Sequence, residues 1–266
     1  ETHHPIILVQ KANEIKERTG NWMIHAAHDE FTITLKDIVE KNLTRPLYML
    51  ISEPIILLIS LYNAFVYGIL YLMLSAYPVI FAEGYRMHGG VAELPYLGMV
   101  IGMLAGGVFT FAMEGNYLKA LKANNYKPVP EARLPPLFFG SFAFPIGIFW
   151  LFWTGNWPHK VHWMAPTASG VFTGFGLVTI FNASLNYIID TYLVFAASAM
   201  AANTFLRSSF ACAFPLFGVQ MLHNMGVKWA GLLLALIGVV LIPVPFFFYR
   251  YGQKIREKSK YAFVIP

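Results

Sequence analysis

The sequence predicts an all-α membrane protein with six transmembrane helices, and three observations carry that prediction. Six apolar stretches, near residues 53–75, 95–114, 134–154, 163–188, 195–221 and 227–249, are each long enough to cross a hydrocarbon core, which takes about 20 residues of helix. Lysine and arginine gather on one side of these stretches. Hydrophobic residues make up 57% of the chain and charged residues 12%, roughly half the charged share of a soluble domain. Backbone polar groups have no water partner in lipid, so a span is either a helix or a strand of a closed barrel. The length of the stretches and their lack of period-2 alternation exclude the barrel.

The net charge of +5 is set by placement, not by a nucleic-acid-binding patch. Of the 19 Lys and Arg residues, six precede the first span (Lys11, Lys16, Arg18, Lys36, Lys41, Arg45). Four lie between the second and third (Lys119, Lys122, Lys127, Arg133), and five follow the sixth (Arg250, Lys254, Arg256, Lys258, Lys260). Only Arg86, Lys160 and Lys228 fall on the other side. By the positive-inside rule both ends of the chain are expected in the cytoplasm. Trp150, Trp153, Trp157, Trp163 and Trp229 sit where the opposite, outer interface is expected, a depth that suits an amphipathic ring.

Taken in order, residues 5–18 suit a short helix with Gly20 as its stop, and residues 25–45 suit a surface helix along the membrane. Glu53-Pro54 opens the first span, with proline in the first turn where its missing N–H does least harm. The second span carries Gly98, Gly102 and Gly106 at spacing four, a small-residue stripe that admits a neighbouring helix. The third and sixth spans are almost wholly apolar, as lipid-facing helices would be. The first and fourth hold most of the intramembrane polar groups: Ser60, Tyr62, Asn63 and Tyr67 in one, and Asn182, Asn186 and Asp190 along one face of the other. Such groups are costly at membrane depth unless they meet a partner or a water-filled cavity. Arg207 lies within the fifth span and is expected to pair with a carboxylate or to snorkel to the cytoplasmic surface. The single cysteine, Cys212, reads as a small packing residue.

No GxxxxGK[ST], HExxH, CxxC or GxSxG pattern occurs, so nothing points to nucleotide-driven pumping, zinc chemistry or serine hydrolysis. No cofactor, metal site, catalytic residue or nucleic-acid partner is expected. His88, His159, His162 and His223 come from three different loops at the outer face and read as interfacial.

Several ordered strings resemble the drug:proton antiporter-1 group of fungal major facilitator superfamily transporters, which includes polyamine and multidrug exporters. Residues 53–72 (EPIILLISLYNAFVYGILYL) resemble its seventh transmembrane helix. Residues 130–136 (PEARLPP) resemble its loop between helices eight and nine. Residues 186–192 (NYIIDTY), 196–199 (AASA) and 207–210 (RSSF) resemble its helix 10 to 11 region, and residues 243–252 (PVPFFFYRYG) its C-terminal exit. The resemblance covers essentially the whole chain. It implies the C-terminal six-helix half of a twelve-helix transporter: a cytoplasmic central-loop segment over 1–52, a six-helix transmembrane domain over 53–249 and a cytoplasmic tail over 250–266.

The resemblance further implies a multi-pass plasma-membrane protein that is not an enzyme. It would export drugs, polyamines or other toxic organic compounds, cationic or amphiphilic, in exchange for protons, with an N-terminal six-helix half as partner. Tyr62, Asn63, Tyr67, Asn182 and Asn186 become substrate-cavity candidates, with the tyrosines able to hold a cation on their rings. Glu53, Asp190 and Arg207 become gate or coupling candidates. The competing readings are a six-helix homodimeric carrier or channel, an inactive truncated transporter, and an intramembrane enzyme, for which the polar groups are too scattered.

Overall fold

A computed structural model describes residues 4–25 and 39–262; most of the expected surface helix over 25–45 lies outside the described residues. The chain forms two compact units, residues 1–45 and 46–266. The first contains α1 (His4–Thr19). Gly20 ends that helix with φ +65°, a left-handed conformation that glycine adopts without strain, and its N–H bonds the Lys16 carbonyl at 2.9 Å. A π-helical turn (Glu40–Thr44) leads into α2 (Arg45–Ser52).

The second unit is a helical bundle. Its helices are α3 (Pro54–Tyr77), α4 (Tyr96–Ala123), α5 (Pro135–Gly155), α6 (Met164–Tyr192), α7 (Ala196–Met225), α8 (Val227–Leu241) and α9 (Pro243–Arg256). Among the described residues five helical stretches are long and apolar enough to span a membrane. The fourth of these, 62 residues long, is α6 and α7 joined by the short turn Leu193–Phe195, and six transmembrane helices result. No described residue is in a strand.

Local chemistry sets the helix ends. Glu53 is extended (φ −105°, ψ 107°) and Pro54 occupies the first turn of α3, as expected where a proline restricts the residue before it. The sixth span is interrupted at Ile242 because Pro243 and Pro245 bring no N–H to the ladder, so the helix restarts as α9. The second span runs nine residues past its apolar stretch, to Ala123, so that Glu114 at the end of the stretch and Tyr117 beyond it share one rigid rod.

Helix α6 is central: α4 and α5 pack along it, α8 packs on the far side of α5, and α3 pairs with α7. The glycine stripe explains the closest of these approaches. A Cβ on Gly98, Gly102 or Gly106 would collide with the backbone of Thr167, Val171 or Phe175, which repeat at the same spacing on α6. In return, Gly170 and Gly174 of α6 face the backbone at Met99 and Met103. Two backbones in contact gain dispersion energy along their whole length, which drives association where lipid offers no hydrophobic contrast.

Composition and burial do not run in parallel. The second span is the most exposed, with 22% of its apolar window buried against 67% for the first, and the almost wholly apolar third span is 50% buried. Helix α5 turns Phe144, Ile148, Leu151 and Phe152 inward and Phe139, Phe142 and Ile146 outward. An apolar helix is as suited to protein as to lipid.

One end of the bundle carries the tryptophans. Lys228 Nζ lies 4.5 Å from the Trp153 ring centre and 5.0 Å from that of Trp229, and His223 Nε2 is 3.0 Å from Glu83 Oε2. The opposite end carries the denser charge.

Candidate functional site

At that charged end the loop turn Pro130–Arg133 is held between helices. Arg133 Nη1 bonds both carboxylate oxygens of Glu114, at 2.7 and 2.9 Å, and its Nε bonds Asp190 Oδ2 at 3.0 Å. The Tyr117 hydroxyl donates to the same Asp190 oxygen at 2.7 Å, and the Arg133 guanidinium lies 3.4 Å over the Tyr117 ring. One guanidinium thus ties α4, the loop and α6 together. Burial lowers its pKa, but the hydrogen bonds and charges of Asp190 and Glu114 outweigh that and hold it above the ordinary arginine value. Two residues earlier, Glu131 accepts two bonds from Arg256 on α9, at 2.8 and 3.1 Å. The turn is therefore clasped on both sides.

Glu53 makes a third clasp. Its side chain is 3% exposed and accepts from the Tyr192 hydroxyl (3.1 Å), the Ser259 hydroxyl (2.6 Å) and the Lys260 backbone N–H (3.3 Å). It links the start of α3, the end of α6 and the tail beyond α9.

Within the spans, two polar features meet where α3, α6 and α7 come together. Ser184 on α6 donates to Asn63 Oδ1 at 2.9 Å, sharing its proton with the Ile180 carbonyl, and Asn203 Nδ2 on α7 donates to Ser60 Oγ at 3.3 Å. All four side chains are fully buried, and Asn63 Nδ2 and Asn203 Oδ1 have no partner. The second feature is aromatic. The Arg207 guanidinium lies 4.6 Å from the Tyr67 ring centre and 5.6 Å from that of Phe181, and the Tyr67 and Tyr71 hydroxyls are 3.4 Å apart. Arg207 Nε is buried without a hydrogen-bond partner.

The sequence candidates therefore separate into three places. Tyr67 and Arg207 come together, and Arg207 has aromatic rings where a carboxylate was expected; among the described residues no acid pairs with it. It stands on the Tyr67 face that a substrate cation was expected to occupy. Tyr62 and Asn63 are packed inside the helix junction. Asn186 and Asp190 face α4: Asp190 joins the Arg133 clasp, and Asn186 lines a cavity of about 100 Å³ with Arg133 and Glu114. Asn182, on the same stripe, is exposed. Sequence reasoning had missed Glu114, Tyr117, Glu131, Arg133, Asn203 and Arg256 as parts of a site. An acid at the end of an apolar span and a Glu–Ala–Arg run between prolines were signals for some of these. Asn203 gave none.

Comparison with known proteins follows the geometry. The chain is 54% identical over 265 residues to the major facilitator superfamily multidrug transporter FLU1 of Candida albicans, covering 100% of the chain and 43% of that protein. It is 55% identical over 263 residues to the multidrug transporter TPO1_1 of Candida glabrata, covering 99% and 46%. Against the uncharacterized transporter C569.05c of Schizosaccharomyces pombe, identity is 51% over 265 residues, covering 100% and 46%. The chain spans just under half the length of these relatives. No family model and no solved structure matches it. Identity at this level along the entire chain, on a bundle of membrane-spanning helices, makes this multi-pass membrane protein a member of the major facilitator superfamily, corresponding to the C-terminal half of its fungal multidrug-transporter relatives.

Proposed function

We propose that the chain works as one six-helix half of a transporter that exports drugs, polyamines or other toxic organic compounds in exchange for protons, with an N-terminal six-helix half as partner. The plasma membrane is its address, and both ends of the chain face the cytoplasm. Its work on this reading is transport and not catalysis, in line with the transporters it resembles.

The observation that carries this reading is Arg207 at the junction of α3, α6 and α7, held on Tyr67 and Phe181 with no acid paired to it among the described residues. A cation kept inside an apolar span is expensive, and such groups mark pathways. With Arg207 on its ring, Tyr67 presents an aromatic wall with a fixed positive charge, and Tyr71 (37% exposed) continues the wall. That surface suits amphiphiles carrying an aromatic or hydrogen-bond-accepting group. Asn186 lies apart from this wall, on the α4 side of α6, and Asn182 is exposed on the same stripe, while Tyr62 and Asn63 set how α3 seats against its neighbours.

The three clasps support the mechanical half of the reading. Glu53, Asp190 with Arg133, and Glu131 with Arg256 lock the ends of α3, α4, α6 and α9 to their loops. Alternating access by rocking one half against the other needs each half to move as a rigid piece, and these bonds supply that rigidity beside the gate.

The test is complementation. Co-expression with the N-terminal half of a related multidrug transporter, in a strain lacking its own exporters, should restore efflux of a fluorescent amphiphile that neither half exports alone. Efflux by this chain alone in liposomes would refute the half-transporter reading and favour a homodimeric carrier.

A further inference from the structure

Where the last helix leaves the apolar region, its surface changes from aromatic to basic within about two turns. Helix α9 exposes Phe247 and Tyr251 (45% and 42%), then Lys254, and the segment after it exposes Lys258 and Lys260. Across from them, Tyr48 on α2 and Pro54 at the head of α3 complete a cleft of about 760 Å³.

The cleft has cations to spare. None of the three lysines pairs with a carboxylate among the described residues. Two carboxylates also line the cleft, Glu257, which accepts from the Gln253 amide, and Glu53, which accepts from Tyr192, Ser259 and the Lys260 backbone N–H, so the three lysines leave it net positive; Glu131 is paired with Arg256. Exposed ammonium groups stand above an apolar wall, and this arrangement matches a ligand with a negatively charged head and an apolar body.

We propose that this cleft binds an anionic phospholipid of the cytoplasmic leaflet. Lys254, Lys258 and Lys260 hold its phosphate, and its glycerol and upper acyl region lie on Phe247 and Tyr251. The depth is supplied by the orientation proposed above, which puts this end of the bundle at the cytoplasmic surface, where anionic lipid attracts juxtamembrane lysines and aromatic rings settle at the headgroup level. A soluble anion would leave the apolar wall unused.

Native mass spectrometry of the purified protein in mixed micelles tests this without any transport readout, so its failure is separable from failure of the transporter reading. Phosphatidylserine should be retained at least fivefold over phosphatidylcholine. Each lysine near a membrane surface contributes about a fivefold factor, so Lys254→Gln with Lys258→Gln should cut retention of phosphatidylserine by tenfold or more. The matched pair Lys119→Gln with Lys122→Gln, an equal charge loss on exposed positions of α4, should leave it unchanged. Equal losses from both pairs would overturn the proposal in favour of diffuse surface charge. Absence of a phosphatidylserine preference would overturn it outright. Displacement by glycerophosphoserine at equal concentration would show an anion site in place of a lipid site.

Discussion

Replacing Gly102 by alanine isolates the contact on which the bundle's tightest helix pair depends. A Cβ at Gly102 would sit 2.8 Å from the Val171 Cα and closer still to its carbonyl oxygen, whereas ordinary contact starts at 3.4 Å. The difference, 3.4 minus 2.8, asks α4 and α6 to part by at least 0.6 Å. Both obstacles are backbone, so no side-chain rotation relieves them. Gly98 and Gly106, one turn away on either side, press on Thr167 and Phe175 and resist the shift.

Overpacking of this kind costs about 1–3 kcal/mol, which is roughly a 5- to 30-fold change in the unfolding equilibrium for a loss of one or two kcal/mol. Gly107 is the built-in control: it follows in the same helix and its Cβ would meet nothing within 4 Å. Alanine there should be neutral or slightly stabilising, because alanine is favoured over glycine in helices by up to about 1 kcal/mol. Unfolding in mixed detergent, followed by tryptophan fluorescence, gives both numbers. If Gly102→Ala unfolds no more readily than Gly107→Ala, the backbone contact does not hold α4 to α6 and this account of the stripe fails.

Arg133→Ala should lower the melting temperature in detergent by removing about 1–3 kcal/mol, a value reduced from that of fully buried pairs because Glu114 is 40% exposed; Arg133→Lys should recover only part of it, and a fully tolerated alanine would count against the clasp. Tyr67→Leu and Arg207→Leu should show a coupling of about 0.5–2 kcal/mol in a double-mutant cycle, and strict additivity would mean that the stacking carries no energy. With the partner half present, Asn186→Ala and Asp190→Asn should reduce efflux well below Val240→Ala, a position 74% exposed, at equal expression; three equal effects would make the polar stripe of α6 merely structural. Asn203→Ala should destabilise by about 1–3 kcal/mol by leaving the buried Ser60 hydroxyl without its donor, and an unchanged unfolding midpoint would remove Asn203 from the junction.

The sequence by itself determined the helical membrane class, the six spans and most of their boundaries. The reason is that lipid imposes one requirement on every residue of a span, and about 20 apolar residues in a row satisfy it regardless of what lies beside them. Gly98, Gly102 and Gly106 were legible for the same kind of reason: spacing four puts them on one face of any helix. Which surfaces meet was not legible. Apolar content failed to separate the half-buried α5 from the exposed α4, since lipid tails and leucine side chains are equally apolar. Asn203 gave no signal in the sequence, and only the packing of α7 on α3 brings it to Ser60. Arg207 was visible as an expensive charge, but its partners come from Tyr67 and Phe181, 140 and 26 residues away in the chain. Likewise Arg133 reaches Glu114 and Asp190, and Glu53 meets Ser259, only after the helices have packed. Hydrogen bonds and ion pairs form over about 3 Å between groups far apart in sequence, so periodicity can place a side chain on a helix face, and the tertiary structure alone decides what that face touches.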